Sequence, residues 1–266
     1  MKTILLFDAH VHLSDEIFIP YIQSILLSLK ELNINACSVT VDFDTSNHSL
    51  SLFKNRRDIV TQFIGIHPQC AVNKHFNELE KFKNLFFNNI DDIDGIGEIG
   101  LDPTYNKTDN DIIKQKKIFC SLLDIAEKYK KPISLHSRKS VDDIINILTT
   151  YKVKKTLFHW FAGNKKQLKK MMDMGFFVSY GPASVYSKDR DIFVKTTNIQ
   201  QILVETDGPV FYSRCFSNFP SSPISCLPSV INHISDIINI SYFDLVNVLK
   251  ENSEQFLGKK FPEIKN

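Results

Sequence analysis

The sequence predicts an α/β fold, and within that class a (β/α)8 barrel (a TIM barrel) that forms a single domain over residues 1–266. Eight short apolar runs alternate with stretches whose apolar residues recur at helical spacing. Repeated alternation of buried strands and helices is typical of a parallel sheet joined by crossover helices. A chain of 266 residues also has the usual length of one such barrel.

The predicted elements follow one another along the whole chain. The strands are Ile4–Ala9, Ala36–Val41, Thr61–Ile66, Gly95–Gly100, Ile133–His136, Thr156–Trp160, Phe176–Tyr180 and Ile202–Glu205. Helices are predicted over 19–32, 109–130, 140–149, 164–174 and 229–257, with weaker helical spacing at 75–90 and 46–58. An open doubly wound sheet is the alternative. No GxGxxG motif follows the first strand, which weakens a dinucleotide-binding form of that alternative.

Composition and charge restrict the class of protein further. Apolar residues make up 43% of the chain and charged residues 23%, so a sizeable core is expected and disorder is not. The net charge of +2 neither requires nor excludes nucleic acid. The five cysteines include no CxxC pair, which argues against a disulfide framework or a structural zinc site. The apolar stretch Thr3–Phe7 is too short for a signal peptide or a membrane span, so we expect a cytoplasmic protein without a membrane partner. We also expect a monomer.

Side chains that can bind metal gather where the predicted strands end. In a barrel the carboxyl ends of the strands converge on one mouth, where active sites form. A histidine at a single strand end is more often a hydrogen-bonded partner than a ligand, but this convergence predicts a metal site. The residues concerned are His10, His12, His67, Glu98, His136, His159, Glu205 and Asp207.

The first pair has the spacing of a shared ligand set. His10 and His12 stand two residues apart on a strand and therefore face the same side, where Asp207 can add a carboxylate. His136 and His159 can hold a second ion, with Glu98 between the two. Histidine nitrogens with carboxylate oxygens suit transition metals better than Ca²⁺, and paired ions are typical of phosphate-ester hydrolysis. We expect two divalent ions, with Mg²⁺, Mn²⁺ and Zn²⁺ as the candidates.

Six motifs together resemble the TatD family of metal-dependent deoxyribonucleases, within the amidohydrolase superfamily. They occur in the family's order from residue 7 to about residue 209, and as a set they are highly specific. The motifs are FDAHVHL (7–13), GIHPQ (65–69), GEIGLD (97–102), KPISLHSR (131–138), FHWFAG (158–163) and VETDGP (204–209).

The resemblance implies a TIM barrel with nuclease activity on DNA, often of the 3′-to-5′ exonuclease type, in which a metal-activated water cleaves the phosphodiester. It implies that one metal is held by His10, His12 and Asp207, and the other by His136 and His159, with Glu98 between them. Asp207 and Glu98 are then the catalytic carboxylates. Glu205 is implied to lie behind the ligands, and His67 and Arg138 to meet substrate phosphate.

The sequence also departs from the family pattern. Trp160 stands where many relatives carry a small residue or cysteine, and Pro103-Thr104-Tyr105 replaces the more usual aromatic and arginine pattern. These departures leave the ligands intact and leave substrate preference open. The alternatives are a metal-dependent hydrolase of a different ester or amide, a non-catalytic binding protein, and a deaminase. The complete ligand set argues against the binding protein, and Glu98 fits a two-metal phosphoesterase better than a deaminase. Glu98 at the fourth strand argues against the carboxylated-lysine branch of the superfamily.

Aromatic residues and one long loop follow the strands. The loop, residues 211–228, comes after the last strand, and a loop of that length there is more often functional than not. If DNA is the substrate, aromatic platforms should surround the mouth. The candidates, which the sequence does not sort into platforms and core residues, are Trp160, Phe161, Tyr180, Phe211 and Tyr212.

Overall fold

The computed structural model confirms the predicted barrel and describes residues 4–73, 77–212 and 219–261. Eight strands form one sheet in chain order, and each pairs in parallel with the next. The strands are β1 (Leu6–Val11), β2 (Ile34–Ser38), β3 (Val60–Ile64), β4 (Gly95–Gly100), β5 (Ile133–His136), β6 (Thr156–Phe158), β7 (Phe177–Tyr180) and β8 (Ile202–Val204).

Helices connect the strands on the outside of the sheet. No helix in the described ranges has the length and apolarity needed to cross a membrane. The helices are α1 (Ile22–Glu31), α2 (Phe43–Leu52), α3 (Pro68–Asn73), α4 (Asn77–Asn88), α5 (Asp109–Lys128), α6 (Val141–Leu148), α7 (Lys165–Asp173), α8 (Pro182–Tyr186), α9 (Lys188–Thr196), α10 (Pro223–Ile238) and α11 (Tyr242–Leu257).

Apolar spacing explains how these helices pack. In α6, for example, the buried residues Val141, Ile144, Ile145 and Leu148 stand at the positions that form one face of a helix. That face joins the main core between the helices and the sheet. Burying each of these side chains stabilises the fold by about 1.5–3 kcal/mol.

A second apolar cluster closes the barrel at the amino ends of its strands. Phe7 near the start of β1 and Phe177 at the start of β7 belong to this cluster, together with Phe256 of α11. The rings of Phe177 and Phe256 lie 5.8 Å apart, and Phe7 lies 5.3 Å from Phe261. Apolar side chains therefore fill the interior of the barrel at this end, opposite the mouth where the predicted ligands lie.

The seam between β1 and β8 is joined by a buried carboxylate. Asp8 accepts hydrogen bonds from the backbone N–H of Thr206 at 3.1 Å and from its hydroxyl at 2.6 Å. One residue further on, the N–H of Asp207 donates to the carbonyl of His10 at 2.9 Å. These contacts fix the relative positions of two predicted metal ligands from opposite ends of the chain.

Two predicted boundaries are corrected by the structure. His10 lies inside β1 rather than after it, because that strand extends to Val11. The single helix predicted over 229–257 is two helices, α10 and α11, separated at Asn239, whose φ of 56° lies in the left-handed region that ends a helix.

The loop predicted at 211–228 ends earlier than expected, because a helix begins inside its C-terminal part. Helix α10 begins at Pro223, where the Ser222 side chain caps the backbone N–H of Ser225. Serine at the N-cap followed by proline is a recognised start signal. Residues 213–218 of the predicted loop lie outside the described residues. The short helices α8 and α9 between β7 and β8 were not predicted at all.

Candidate metal centre

Glu98, near the carboxyl end of β4, lies at the centre of the predicted ligands. Its Oε1 lies 2.8 Å from Nδ1 of His136 and 2.8 Å from Nε2 of His159. Its Oε2 lies 3.6 Å from Nε2 of both His10 and His12. The two oxygens of one carboxylate thus face two different pairs of histidines, which is the arrangement expected of a bridging ligand.

Asp207 lies on the side of the first histidine pair. Its Oδ1 lies 3.7 Å from Nε2 of His10 and 3.5 Å from Nε2 of His12. Its φ of 49° is in the left-handed region, an unusual conformation for a residue with a side chain. Such backbone conformations cluster at functional sites, because the surrounding contacts must hold them in place.

Backbone and hydroxyl groups orient the first histidine pair. His10 is hydrogen-bonded through Nδ1 to the Ser134 hydroxyl at 2.9 Å, and His12 donates from Nδ1 to the carbonyl of Val39 at 3.2 Å. In both rings Nε2 is left facing the carboxylates. Nε2 of His10 is buried and has no hydrogen-bond partner among the described residues. A buried nitrogen without a partner, in a ring fixed through its other nitrogen, fits metal ligation.

A carboxylate orients His136 in the second pair. The ring donates from Nε2 to Oδ2 of Asp102 at 2.8 Å, while Nδ1 faces Glu98. Asp102 is fully buried and also accepts from the backbone N–H of Thr104 at 2.9 Å. Carboxylate–histidine contacts of this kind fix the ring and raise its basicity toward a metal. Asp102 is not among the site residues predicted from the sequence.

Arg138 also binds Asp102. It donates from Nε to Oδ2 of Asp102 at 2.7 Å and from Nη2 to the Thr104 hydroxyl at 2.5 Å. Its guanidinium lies 5.2 Å from the ring centroid of Tyr105. These contacts hold a half-exposed cation at the mouth. Its predicted contact with substrate phosphate stays a prediction.

His67 and Glu205 lie next to the second pair. Nε2 of His67 is 3.2 Å from Nδ1 of His136, so His67, Glu98 and His136 form a further group whose atoms could hold an ion. The phosphate-binding role predicted for His67 is not tested by this position. Glu205 is buried behind His159, with Oε2 at 3.8 Å from Nδ1 of that ring.

Glu205 itself is held by two donors. Its Oε1 accepts from the backbone N–H of Trp160 at 2.7 Å, and its Oε2 accepts from the Ser179 hydroxyl at 2.5 Å. Trp160 has a φ of 40°, and this hydrogen bond supports that conformation. Glu205 therefore links the end of β6 to the ends of β7 and β8, and its role behind the ligands stays a prediction.

Burial and charge divide the histidines into two groups. Burial lowers the pKa of His10 to about 4, and burial likewise lowers the pKa of His67 to about 4, so both rings are neutral at pH 7. Burial also opposes the charged form of His159, but the charges of Glu98 and Glu205 outweigh it and raise the pKa of His159 well above its usual value.

The remaining groups are governed by the same balance. Burial opposes charge on His136, but its bonds to Asp102 and Glu98 raise its pKa. Burial likewise opposes charge on His12, but Asp207 and Glu98 raise its pKa. Burial would raise the pKa of Glu98, but the surrounding histidines hold that pKa well below its usual value. The histidines around Glu98 therefore favour its ionised form.

The centre opens into a cavity of about 410 Å³, referred to below as the reaction cavity. Two of the aromatic candidates, Phe161 and Tyr180, are buried in the core and do not line it. The residues that line the cavity include His12, His67, Tyr105, Arg138, Trp160, Asp207 and Val210.

The donor set fits divalent transition-metal or magnesium ions. Four predicted ligand histidines and two carboxylates converge, and groups of three atoms within 4.8 Å of one another occur on both sides of Glu98. One such group is His10, His12 and Glu98. Imidazole nitrogen with carboxylate oxygen suits Zn²⁺ or Mn²⁺, and the carboxylates suit Mg²⁺. The structure therefore supports divalent-metal use, whereas the number and identity of the ions stay predictions.

Comparisons with known proteins agree with this chemistry. A family model described as "TatD related DNase" matches residues 7–258. "Putative deoxyribonuclease tatdn3" of Danio rerio is 28% identical over 262 residues, which cover 95% of this chain and 97% of that protein. "Uncharacterized metal-dependent hydrolase YabD" of Bacillus subtilis is 25% identical over 258 residues, with coverage of 94% and 98%. The crystal structure of YJJV, a TatD homolog from Escherichia coli, superposes with a TM-score of 0.85 at 19% identity, with coverage of 94% and 97%.

Proposed function

Because the chain belongs to the family of TatD-related DNases, we propose that it is a divalent-metal-dependent hydrolase that cleaves phosphodiester bonds of DNA. The observation that carries the proposal is Glu98, whose two oxygens face separate histidine pairs at the mouth of the barrel. Single-stranded DNA is the proposed substrate, and cleavage proceeds from the 3′ end. Hydrolysis of a different ester or amide is less well supported, because several relatives are named as deoxyribonucleases.

The residues divide into two half-sites that share Glu98. His10, His12 and Asp207 would hold one ion, and His136 with His159 would hold the other. A monomeric, cytoplasmic enzyme stays a prediction from the sequence.

The proposed reaction is hydrolysis of a phosphodiester by water. Bound divalent ions would supply Lewis acidity, which lowers the pKa of water and stabilises charge on the phosphoryl oxygens. Asp207, next to the first histidine pair and facing the reaction cavity, orients the attacking water and accepts its proton. Arg138, held by Asp102, offers its remaining N–H donors to a phosphate oxygen.

Replacement of Asp207 tests this assignment. Asp207→Asn keeps the size of the side chain but removes its charge and its ability to accept the proton, so cleavage should fall by roughly 10²–10⁴-fold. The assay is cleavage of 5′-labelled single-stranded DNA with Mg²⁺ or Mn²⁺, with a chelator as the blank. A labelled ladder that shortens from the 3′ end establishes the polarity.

The matched control is Asp173→Asn, which removes an exposed carboxylate of α7 that pairs with Lys169 far from the mouth. This control should cleave like the unchanged protein. Undiminished cleavage by Asp207→Asn would contradict the proposed role of Asp207, and absence of cleavage by the unchanged protein with every metal would contradict the proposed function.

A further inference from the structure

A second cavity adjoins the reaction cavity and is rich in aromatic side chains. We call it the aromatic groove; it has a volume of about 390 Å³. Trp160 and Val210 line both cavities, so the two are continuous at these residues. The residues that define the groove are Trp160, Tyr186, Arg190, Phe211 and Tyr212.

One wall of the groove is a fixed pair of rings. The centroids of Trp160 and Tyr212 lie 5.4 Å apart with 33° between the ring planes. Tyr212 is buried, and its hydroxyl donates to the carbonyl of Thr206 at 3.4 Å. Trp160 is held through its backbone by Glu205. A ring fixed in this way loses little conformational entropy when a second planar group packs on it.

The other aromatic rings of the groove are exposed. Phe211 is 50% exposed and Tyr186 is 38% exposed, although both line a concavity. Large apolar rings around a concave site are typical of ligand binding rather than of core packing. Neither ring has a partner role in the metal centre.

A positive charge completes the groove. Arg190 of α9 donates from Nη1 to the carbonyl of Phe161 at 2.6 Å, and this bond holds the guanidinium at the groove. A ligand that suits these surroundings has a flat ring to stack on the aromatic side chains and an anionic group to meet the guanidinium. A nucleotide has both features, and a strand of DNA places them within one residue of each other.

We propose that the aromatic groove binds one nucleobase of the DNA strand. This base belongs to the nucleotide next to the one whose phosphate lies in the reaction cavity. The base stacks on Trp160 and Phe211, and Arg190 meets a backbone phosphate. This inference rests on the proposed function. Since every base has a π-face, the groove accepts all four bases and requires the strand to be unpaired at that position. Trp160, a departure from the family pattern, is therefore a determinant of substrate binding in this chain.

Fluorescence gives a test that does not need catalysis. Trp160 is the single tryptophan of the chain, so its emission reports directly on the groove. The protein is titrated, with chelator present, with a thymidine hexanucleotide and with an abasic hexamer of the same charge. We expect saturable quenching by the first probe and binding at least roughly tenfold weaker by the second, because stacking on aromatic side chains supplies much of the affinity for single strands.

Variants separate the groove from the reaction cavity, which Trp160 also lines. Phe211→Ala should weaken binding of the thymidine hexamer by roughly tenfold. Phe211→Tyr, which keeps an aromatic ring at this position, should bind the hexamer like the unchanged protein. The matched control is Phe243→Ala, which removes an exposed phenylalanine of α11 and should bind like the unchanged protein. With metal present, Phe211→Ala should lower kcat/KM for cleavage of the thymidine hexamer by roughly tenfold more than for cleavage of the abasic hexamer.

The outcomes distinguish the two proposals. Equal affinity for the two hexamers, or equal effects of Phe211→Ala and Phe243→Ala, overturns the nucleobase groove even if the protein cleaves DNA. Base-dependent quenching that Phe211→Ala weakens supports the groove even if no metal restores cleavage, in which case only the hydrolase assignment fails.

Discussion

The two half-sites share Glu98 but are oriented by different kinds of groups. In the first, His10 is fixed by the hydroxyl of Ser134 and His12 by a backbone carbonyl, which are both neutral. In the second, His136 donates to the carboxylate of Asp102, and His159 lies 3.8 Å from the carboxylate of Glu205.

This difference has an electrostatic consequence. Burial lowers the pKa of His10 to about 4, so in the first half-site only His12 has a raised pKa, whereas neighbouring carboxylates raise the pKa of both histidines in the second half-site. A carboxylate behind an imidazole stabilises positive charge on it, whether that charge is a proton or a metal ion. The second half-site must therefore release protons from both of its rings when a metal binds, and the first half-site from His12 alone. The comparison predicts different responses to substitution and to pH.

Glu98→Gln should have the largest effect because it alters both half-sites at once. The amide keeps the shape of the side chain but removes the negative charge that faces both histidine pairs. Bound metal should fall at both half-sites, and cleavage should fall by roughly 10³-fold or more, since a bridging carboxylate serves both ions. Elemental analysis of the purified variant and a DNA cleavage assay measure these losses. Retention of both metal equivalents would contradict the bridging role.

The position of Glu98 could be predicted from the sequence, whereas that of Asp102 could not. Strand periodicity and flanking glycines indicate where β4 ends, and a barrel brings strand ends together, so Glu98 and the histidines were expected to meet. The contact between Asp102 and His136 depends on the register of β4 with β5, which pairs Gly100 with His136 and brings Asp102 next to that ring. A single sequence contains no information on this register. Two signals were available: Asp102 stands just beyond a strand end, and it is the last residue of the GEIGLD motif.

The outer helices and the aromatic residues were also only partly predictable from the sequence. Helical spacing located α5, α6 and α7 closely, but the division between α10 and α11 depends on one left-handed residue, Asn239, inside an otherwise continuous apolar pattern. Likewise, five aromatic residues after strands looked equivalent in the sequence. Only burial separates Phe161, in the core, from Phe211, in the groove.

Metal affinity should depend steeply on pH, and this is the second largest effect. The pKa values of His12, His136 and His159 are raised, so these rings hold their protons to a higher pH than a free imidazole does. A ligand nitrogen must be deprotonated before it binds a metal, so metal affinity should rise with pH. At pH values below these raised pKa values, lowering the pH by one unit should reduce the affinity about tenfold for each proton displaced. His10, whose pKa is lowered to about 4, contributes nothing above that pH.

Calorimetry measures this proton release directly. Titration of the metal-depleted protein with Zn²⁺ at one pH, in two buffers of different ionisation enthalpy, counts the protons transferred to the buffer. We expect roughly three protons per protein at pH 6, from His12, His136 and His159, and fewer at pH 8. Binding without proton release at pH 6 would contradict the assignment of the charged histidines as ligands.

A pair of conservative variants gives the smallest and most specific comparison. Asp102→Asn removes the carboxylate behind His136, and Ser134→Ala removes the hydroxyl behind His10. Loss of a carboxylate partner typically weakens metal binding by about 10–100-fold. Loss of the neutral partner should cost less than about tenfold, because a single hydrogen bond between neutral groups contributes only about 0.5–1.5 kcal/mol.

The pH dependence distinguishes this electrostatic role of Asp102 from a purely structural one. The hydrogen bond to Asp102 raises the pKa of His136, so in Asp102→Asn that ring should lose its proton at lower pH and release fewer protons on binding Zn²⁺ near neutrality. Ser134→Ala should leave proton release unchanged, since the pKa of His10 is already lowered to about 4 by burial. If both variants weaken binding without altering the proton count, the carboxylate contributes only through packing, and the two half-sites are electrostatically equivalent after all.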